Sequence, residues 1–193
     1  MVNNLNYLNI SKGMTIAAIE ALKSNPIPNP KVGAALFDKN MYLKNKSYHL
    51  QKGQDHAEVA LIKKAKLEDS DYLYVTLEPC YHEDTSPSCA KELIKTNIKN
   101  IIIGDVDVDS RTSGKSIELL SNNGINITLE KGVHDLLNPY YKNIVKSSPL
   151  TYIGKIGISD NNYIFDSESK NKYITNDISL DISHILRATV DAV

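Results

Sequence analysis

The sequence predicts a three-layer α/β/α sandwich built on a mixed, mostly parallel sheet. Two observations lead there. Short apolar runs alternate with single stretches of helical periodicity over the first 130 residues, in the order α-β-β-α-β-α-β-α-β. Apolar side chains also make up 41% of the 193 residues, enough to cover a sheet on both faces. Strands separated by one helix pair in parallel, whereas two runs joined by a short turn form an antiparallel hairpin, here at the edge of the sheet.

The elements follow in order. Met14, Ala17, Ala18, Ala21 and Leu22 recur at helical spacing, so 11–23 reads as a helix with Ser11 near its cap. Asn25-Pro26 stops it, and the proline-rich PIPNP that follows is a loop. The runs 32–37 (VGAALF) and 41–48 flank Asp38-Lys39-Asn40, whose turn chemistry predicts the hairpin. Residues 56–66 are rich in helix formers. YLYVTL at 72–77 reads as a strand, and NIIIG at 100–104 as a fully buried one, because it shows no polar alternation. Helices at 90–97 and 114–123 flank that strand, and INITL at 125–129 adds another.

Residues 133–146 place Val133, Leu136, Leu137, Tyr140, Tyr141, Ile144 and Val145 on one helical face. Pro139 removes an amide from the middle, so a break is predicted near Asn138-Pro139. SSP at 147–149 reads as a linker, which divides the chain into 1–147 and 148–193. Beyond it, 151–159 reads as a strand, Asn161-Asn162 as a turn, and 177–188 as a helix capped by Asn176. Val190 to Val193 begin a further strand.

Charge narrows the function classes. With 22 basic and 23 acidic side chains, the formal charge is −1, against the strongly basic face of a nucleic-acid binder. The first ten residues lack the basic start and apolar run of a secretion signal, and no run approaches the ~20 apolar residues of a membrane span. Two cysteines make no disulfide framework. The expectation is a cytoplasmic protein with neither nucleic acid nor membrane as partner.

The chemistry concentrates in three places. His56-Ala57-Glu58 opens a helix, Cys80 closes a strand segment, and Cys89 opens another helix nine positions later. One imidazole and two thiols suit Zn²⁺, and three protein ligands leave the fourth tetrahedral position for water, which then loses its proton near neutral pH. Glu58, two residues from one ligand, can take that proton and hand it to a leaving nitrogen. Two other readings compete. The cysteines and histidine could be unrelated structural residues, or His82 could close a four-ligand structural site. The pattern H-x-E…P-C with a second cysteine matches the zinc-deaminase signature, except that eight residues separate the cysteines instead of two.

PNPKVG at 28–33, HAEV at 56–59, YVTLEPCYHEDTSPSC at 74–89, YIT at 173–175 and LRATVDAV at 186–193 occur in that order. Together they resemble the bifunctional riboflavin-biosynthesis deaminase–reductase, from residue 11 to the C-terminus. The resemblance implies a cytidine-deaminase-like fold and zinc-dependent hydrolytic deamination of a phosphoribosylamino-pyrimidine, followed by NADPH-dependent reduction in a dihydrofolate-reductase-like domain. It implies His56, Cys80 and Cys89 as zinc ligands and Glu58 as the proton shuttle. Asn29, His49, His82 and Asp107 fall on substrate-binding positions. It also implies a homo-oligomer, of an order the sequence does not set.

Two positions depart from the family. Thr85 stands where a basic residue is usual in the zinc loop, and Val108-Asp109-Ser110 replaces Pro-Asn-Pro. Losing a cation while gaining Asp109 disfavours a phosphate. Arg111, one of two arginines in a chain with 20 lysines, is the candidate for the missing charge. In the C-terminal piece, Gly157 and Tyr173 fall on NADP-side positions, and Asn171 and Arg187 on reductase substrate positions. Residues 150–193, 44 in all, match only the opening of a reductase and are too few to enclose a dinucleotide. The chain as given is therefore expected to reduce nothing and to be a fragment of a longer gene product. The alternatives are a nucleoside or nucleotide deaminase of another pathway and a catalytically inactive zinc-stabilised module.

Overall fold

A computed structural model describes residues 10–83 and 87–146. In chain order the elements are α1 (Lys12–Ala21), β1 (Gly33–Phe37), β2 (Leu43–Tyr48), α2 (Ala57–Ile62), β3 (Tyr72–Val75), α3 (Cys89–Ile94), β4 (Asn100–Ile103), α4 (Lys115–Asn122), β5 (Asn126–Leu129), α5 (Val133–Leu137) and α6 (Tyr141–Val145). The sheet runs β2-β1-β3-β4-β5. The β1–β2 hairpin lies at its edge, β1 is antiparallel to β3 as well, and β3, β4 and β5 are parallel.

Side chains two apart along a strand share a face, and that period sorts the core into two layers. Ala34, Leu36, Leu73, Val75, Ile101 and Ile103 pack with Leu61 of α2, Leu93 of α3 and Leu120 of α4. On the opposite face Ala35, Phe37, Tyr74 and Ile102 meet Met14 and Ala17 of α1 and Val133 at the start of α5. A sheet covered on both faces explains why NIIIG carries no polar alternation. At Gly33 the chain tolerates no side chain, because a Cβ there would stand 2.0 Å from the carbonyl oxygen of Ala17. That contact lets α1 lie directly on β1.

The boundaries carry local causes. Ser11 caps α1 by accepting the Met14 amide through its hydroxyl, and Ser88 caps α3 by accepting that of Lys91. In the hairpin turn, one Asp38 carboxylate oxygen accepts the amides of Asn40 and Tyr42, each at 2.9 Å. Met41 takes φ 63° there, so β2 starts at Leu43, two residues later than its apolar run suggests. The expected 133–146 helix is two helices, with Asn138 at φ −135°, ψ 59° between them; Pro139 cannot continue the amide ladder. Among the described residues no helix is long and apolar enough to cross a membrane.

Candidate active site

The site lies beyond the carboxyl ends of the parallel strands β3 and β4, where open α/β sheets place their ligands. Cys80 follows β3, His56 is the N-cap of α2, and Cys89 is the first residue of α3. Three separate segments thus bring one potential ligand each to a single point. His56 Nδ1 stands 3.4 Å from Cys80 Sγ and 3.3 Å from Cys89 Sγ, and the Cys89 amide donates to Cys80 Sγ at 3.2 Å. Ligands of a tetrahedral zinc at about 2.0–2.3 Å stand about 3.5 Å apart, so this donor set fits the ion. Among the described residues these three make the group able to hold a metal. His82 is not one of them; its ring Nδ1 lies 3.1 Å from the Thr112 hydroxyl instead.

The local electrostatics match. The hydrogen bond from Cys89 and the His56 imidazole hold the Cys80 thiol down at about 4, despite its burial. Cys89 is driven the other way by Cys80 and by its own burial. Without a cation the two sulfurs cannot both ionise, and a divalent ion between them removes that conflict.

Glu58, in the first turn of α2, is 3% exposed, and its Oε2 has no hydrogen-bond partner among the described residues. Burial pushes its carboxyl up to about 7. A carboxyl in such a position is neutral and ionised in similar amounts near pH 7, so it can both accept and give a proton.

The remaining expected residues meet in the same cleft. Asn29, His49, His56, Glu58, Cys80 and His82 line it, and so do Asp107 and Arg111 from the loop after β4. His49 Nδ1 donates to the Asp55 carbonyl at 3.1 Å, which leaves Nε2 to accept from Asn29 Nδ2, also at 3.1 Å. That pairing fixes the Asn29 amide, with its oxygen and second N–H left for a ligand. Burial holds the His49 imidazole below its ordinary value, consistent with a neutral acceptor. Asp107 is pushed up to about 6, chiefly by burial, and it shares a hydrogen bond with Tyr141.

Arg111 reaches the cleft already paired. Its Nε stands 2.9 Å, and its Nη2 2.6 Å, from Asp109 Oδ2. Asp109 therefore holds the guanidinium at the rim and offsets its charge. Thr85, Gly157, Asn171, Tyr173 and Arg187, and with them the whole segment 148–193, lie outside the described residues.

Sequence reasoning passed over Glu78. Its carboxylate accepts the amides of Asp107 at 3.1 Å and Gly114 at 3.0 Å, and the Ser116 hydroxyl at 2.7 Å. It thereby ties the end of β3 to the loop that presents Asp107 and Arg111. Its place beside Pro79-Cys80 was the signal, but its partners are 29 to 38 residues away.

Comparison with known proteins agrees with this geometry. The family described as the cytidine and deoxycytidylate deaminase zinc-binding region matches residues 9–105. The riboflavin biosynthesis protein RibD of Aquifex aeolicus is 31% identical over 170 residues, 86% of this chain and 47% of that protein. The diaminohydroxyphosphoribosylamino-pyrimidine deaminase of Buchnera aphidicola subsp. Acyrthosiphon pisum is 38% identical over 99 residues, 51% of this chain and 67% of that one. Among solved structures, Acinetobacter baumannii RibD in its form 1 superposes with a TM-score of 0.70 at 26% identity, over 92% of this chain and 51% of that one. The chain spans about half the length of several of the curated relatives it matches.

Proposed function

The chain belongs to the cytidine and deoxycytidylate deaminase zinc-binding family, and on that premise we propose that its cleft hydrolytically deaminates a phosphoribosylated amino-pyrimidine. One observation carries the reading: a buried carboxylate oxygen without a partner, Glu58 Oε2, lies in the cleft onto which His56, Cys80 and Cys89 converge. One relative named for riboflavin biosynthesis and another named as a diaminohydroxyphosphoribosylamino-pyrimidine deaminase support the choice of substrate.

His56 Nδ1 and the sulfurs of Cys80 and Cys89 would hold the zinc. Bound there, the ion makes water acidic enough to act as a nucleophile near neutral pH and stabilises charge on the reacting carbon's substituents. Glu58 accepts the first proton that water gives up and passes it to the ring nitrogen beside the amino-bearing carbon. It then takes the second proton from the added hydroxyl, which becomes the carbonyl, and delivers it to the amine as the carbon–nitrogen bond breaks. Water supplies the new oxygen and ammonia leaves, so no redox partner is needed. Asn29, oriented by His49, binds the pyrimidine edge. Asp107 accepts from the ribose hydroxyls, His82 flanks the ring, and Arg111 meets the phosphate at the rim.

For residues 148–193 the reading, resting on resemblance alone, is the opening stretch of a reductase domain, too short by itself to enclose NADPH; tight NADPH binding by titration calorimetry overturns it. The deaminase reading is tested by following ammonia release from the phosphoribosylated diaminopyrimidine beside zinc content. Turnover with one zinc per chain is expected. Metal without turnover contradicts the assignment.

A further inference from the structure

Residues 106–146 lie beyond the family match at 9–105, yet they reach back to the loop that carries Asn29. The point of contact is Asn138, at the break between α5 and α6. Its Oδ1 accepts the Lys31 amide at 2.6 Å, and its Nδ2 donates to the Lys31 carbonyl at 2.9 Å. The same Nδ2 lies 3.1 Å from His134 Nδ1. Because Nδ2 is the donor in the Lys31 bond, His134 Nδ1 is the acceptor, which fixes both the ring tautomer and the amide's orientation. His134 is 1% exposed. Its own amide donates to Asp105 Oδ2 at 2.7 Å, and the Asp105 carbonyl accepts the Glu78 amide at 2.8 Å. The chain of contacts therefore starts at the strand ends that carry Glu78 and Cys80 and finishes two residues from Asn29.

A continuous helix through 133–146 would keep Asn138 in helical geometry. The break leaves it at φ −135°, ψ 59°, with a side chain that closes a two-bond ring on Lys31. We propose that Asn138 is a positioning residue for substrate recognition, which holds the Asn29 loop against the cleft from the broken α5–α6 segment. The inference rests on the function proposed above, in which Asn29 meets the pyrimidine.

Asn138→Ala removes both bonds to Lys31. In the full chain it is expected to raise KM by about tenfold, the scale of one to two lost hydrogen bonds, and to leave kcat within about twofold. In an Asn29→Ala background the same change is expected to move KM by less than about twofold, because two residues acting through one contact are not additive. Asn138→Asp serves where the alanine variant fails to fold. It keeps the acceptor for the Lys31 amide but sets an oxygen against the Lys31 carbonyl, so the same rise in KM is expected.

Amide hydrogen exchange gives a readout that needs no turnover. The Asn29 amide, which donates to Pro26, should exchange at least tenfold faster in Asn138→Ala while amides of β3 are unchanged. A KM effect of equal size in both backgrounds overturns the proposal, and so does faster exchange confined to Lys31. Absence of turnover in the unmodified chain would refute the deaminase reading, and the exchange result alone would then decide whether Asn138 positions the loop.

Discussion

Glu58→Gln keeps the volume of the side chain and removes its ability to carry a proton. Glu58 is 3% exposed, and burial lifts its carboxyl from 4.5 to about 7. In the metal-free chain roughly half of it is ionised near neutral pH, and a carboxyl poised to gain or lose a proton can serve both transfers. Loss of such a group costs about 10²–10⁴ in rate, equivalent to about 3–5 kcal/mol of transition-state stabilisation. The expected outcome in an ammonia-release assay at saturating substrate is a fall in kcat of at least about 100-fold. Zinc content should match the unmodified chain, since Glu58 is not in the ligand group. A variant that keeps its zinc and retains kcat within about tenfold refutes the shuttle role.

The same burial has a second readout in the metal-free chain. The folded value lies above the unfolded one, so the stabilisation from the neutral carboxyl is complete below pH 4.5 and lost as pH rises through about 7. About 2.5 pH units correspond to about 3 kcal/mol. Metal-free Glu58→Gln should therefore gain on the unmodified chain between pH 5 and 8 in urea titrations, and equal loss in both would contradict the burial argument.

Three further predictions follow from the same cleft. Cys89→Ser should lose zinc and lower the thermal midpoint, because the ion ties the starts of α2 and α3 to the end of β3; unchanged zinc content by atomic absorption would remove Cys89 from the ligand set. Arg111→Ala should raise KM for the phosphorylated substrate several-fold and leave KM for its dephosphorylated form alone, whereas an unchanged KM for the phosphorylated form excludes a phosphate contact. Asp107 is neutral below about 6, so KM should fall as pH rises through that value and the carboxylate becomes available to ribose hydroxyls. Asp107→Asn should flatten that step, and a step that persists in the variant assigns it to another group.

The His56, Cys80 and Cys89 cluster was legible in the sequence because its logic is local. His56 and Glu58 sit two apart at a helix start, and Cys80 and Cys89 end one element and begin another. Each is a residue type with few other uses at such places. The sheet was legible for a similar reason, since the unbroken apolarity of VGAALF and NIIIG reports strands covered on both faces. The positioning residues were not. Asn138 could be read only as the neighbour of a helix-breaking proline, because its partner Lys31 is 107 residues away. Glu78 acts on amides that no sequence pattern marks. Arg111 was singled out by its rarity, but its pairing with Asp109 depends on the turn that brings their side chains together.

X-ray absorption spectroscopy at the zinc edge tests the central claim most directly. The account predicts one zinc per chain with two sulfurs near 2.3 Å, one imidazole nitrogen near 2.0 Å and one oxygen from solvent. A fourth protein ligand in the spectrum, or a chain that purifies folded and free of metal, would contradict it.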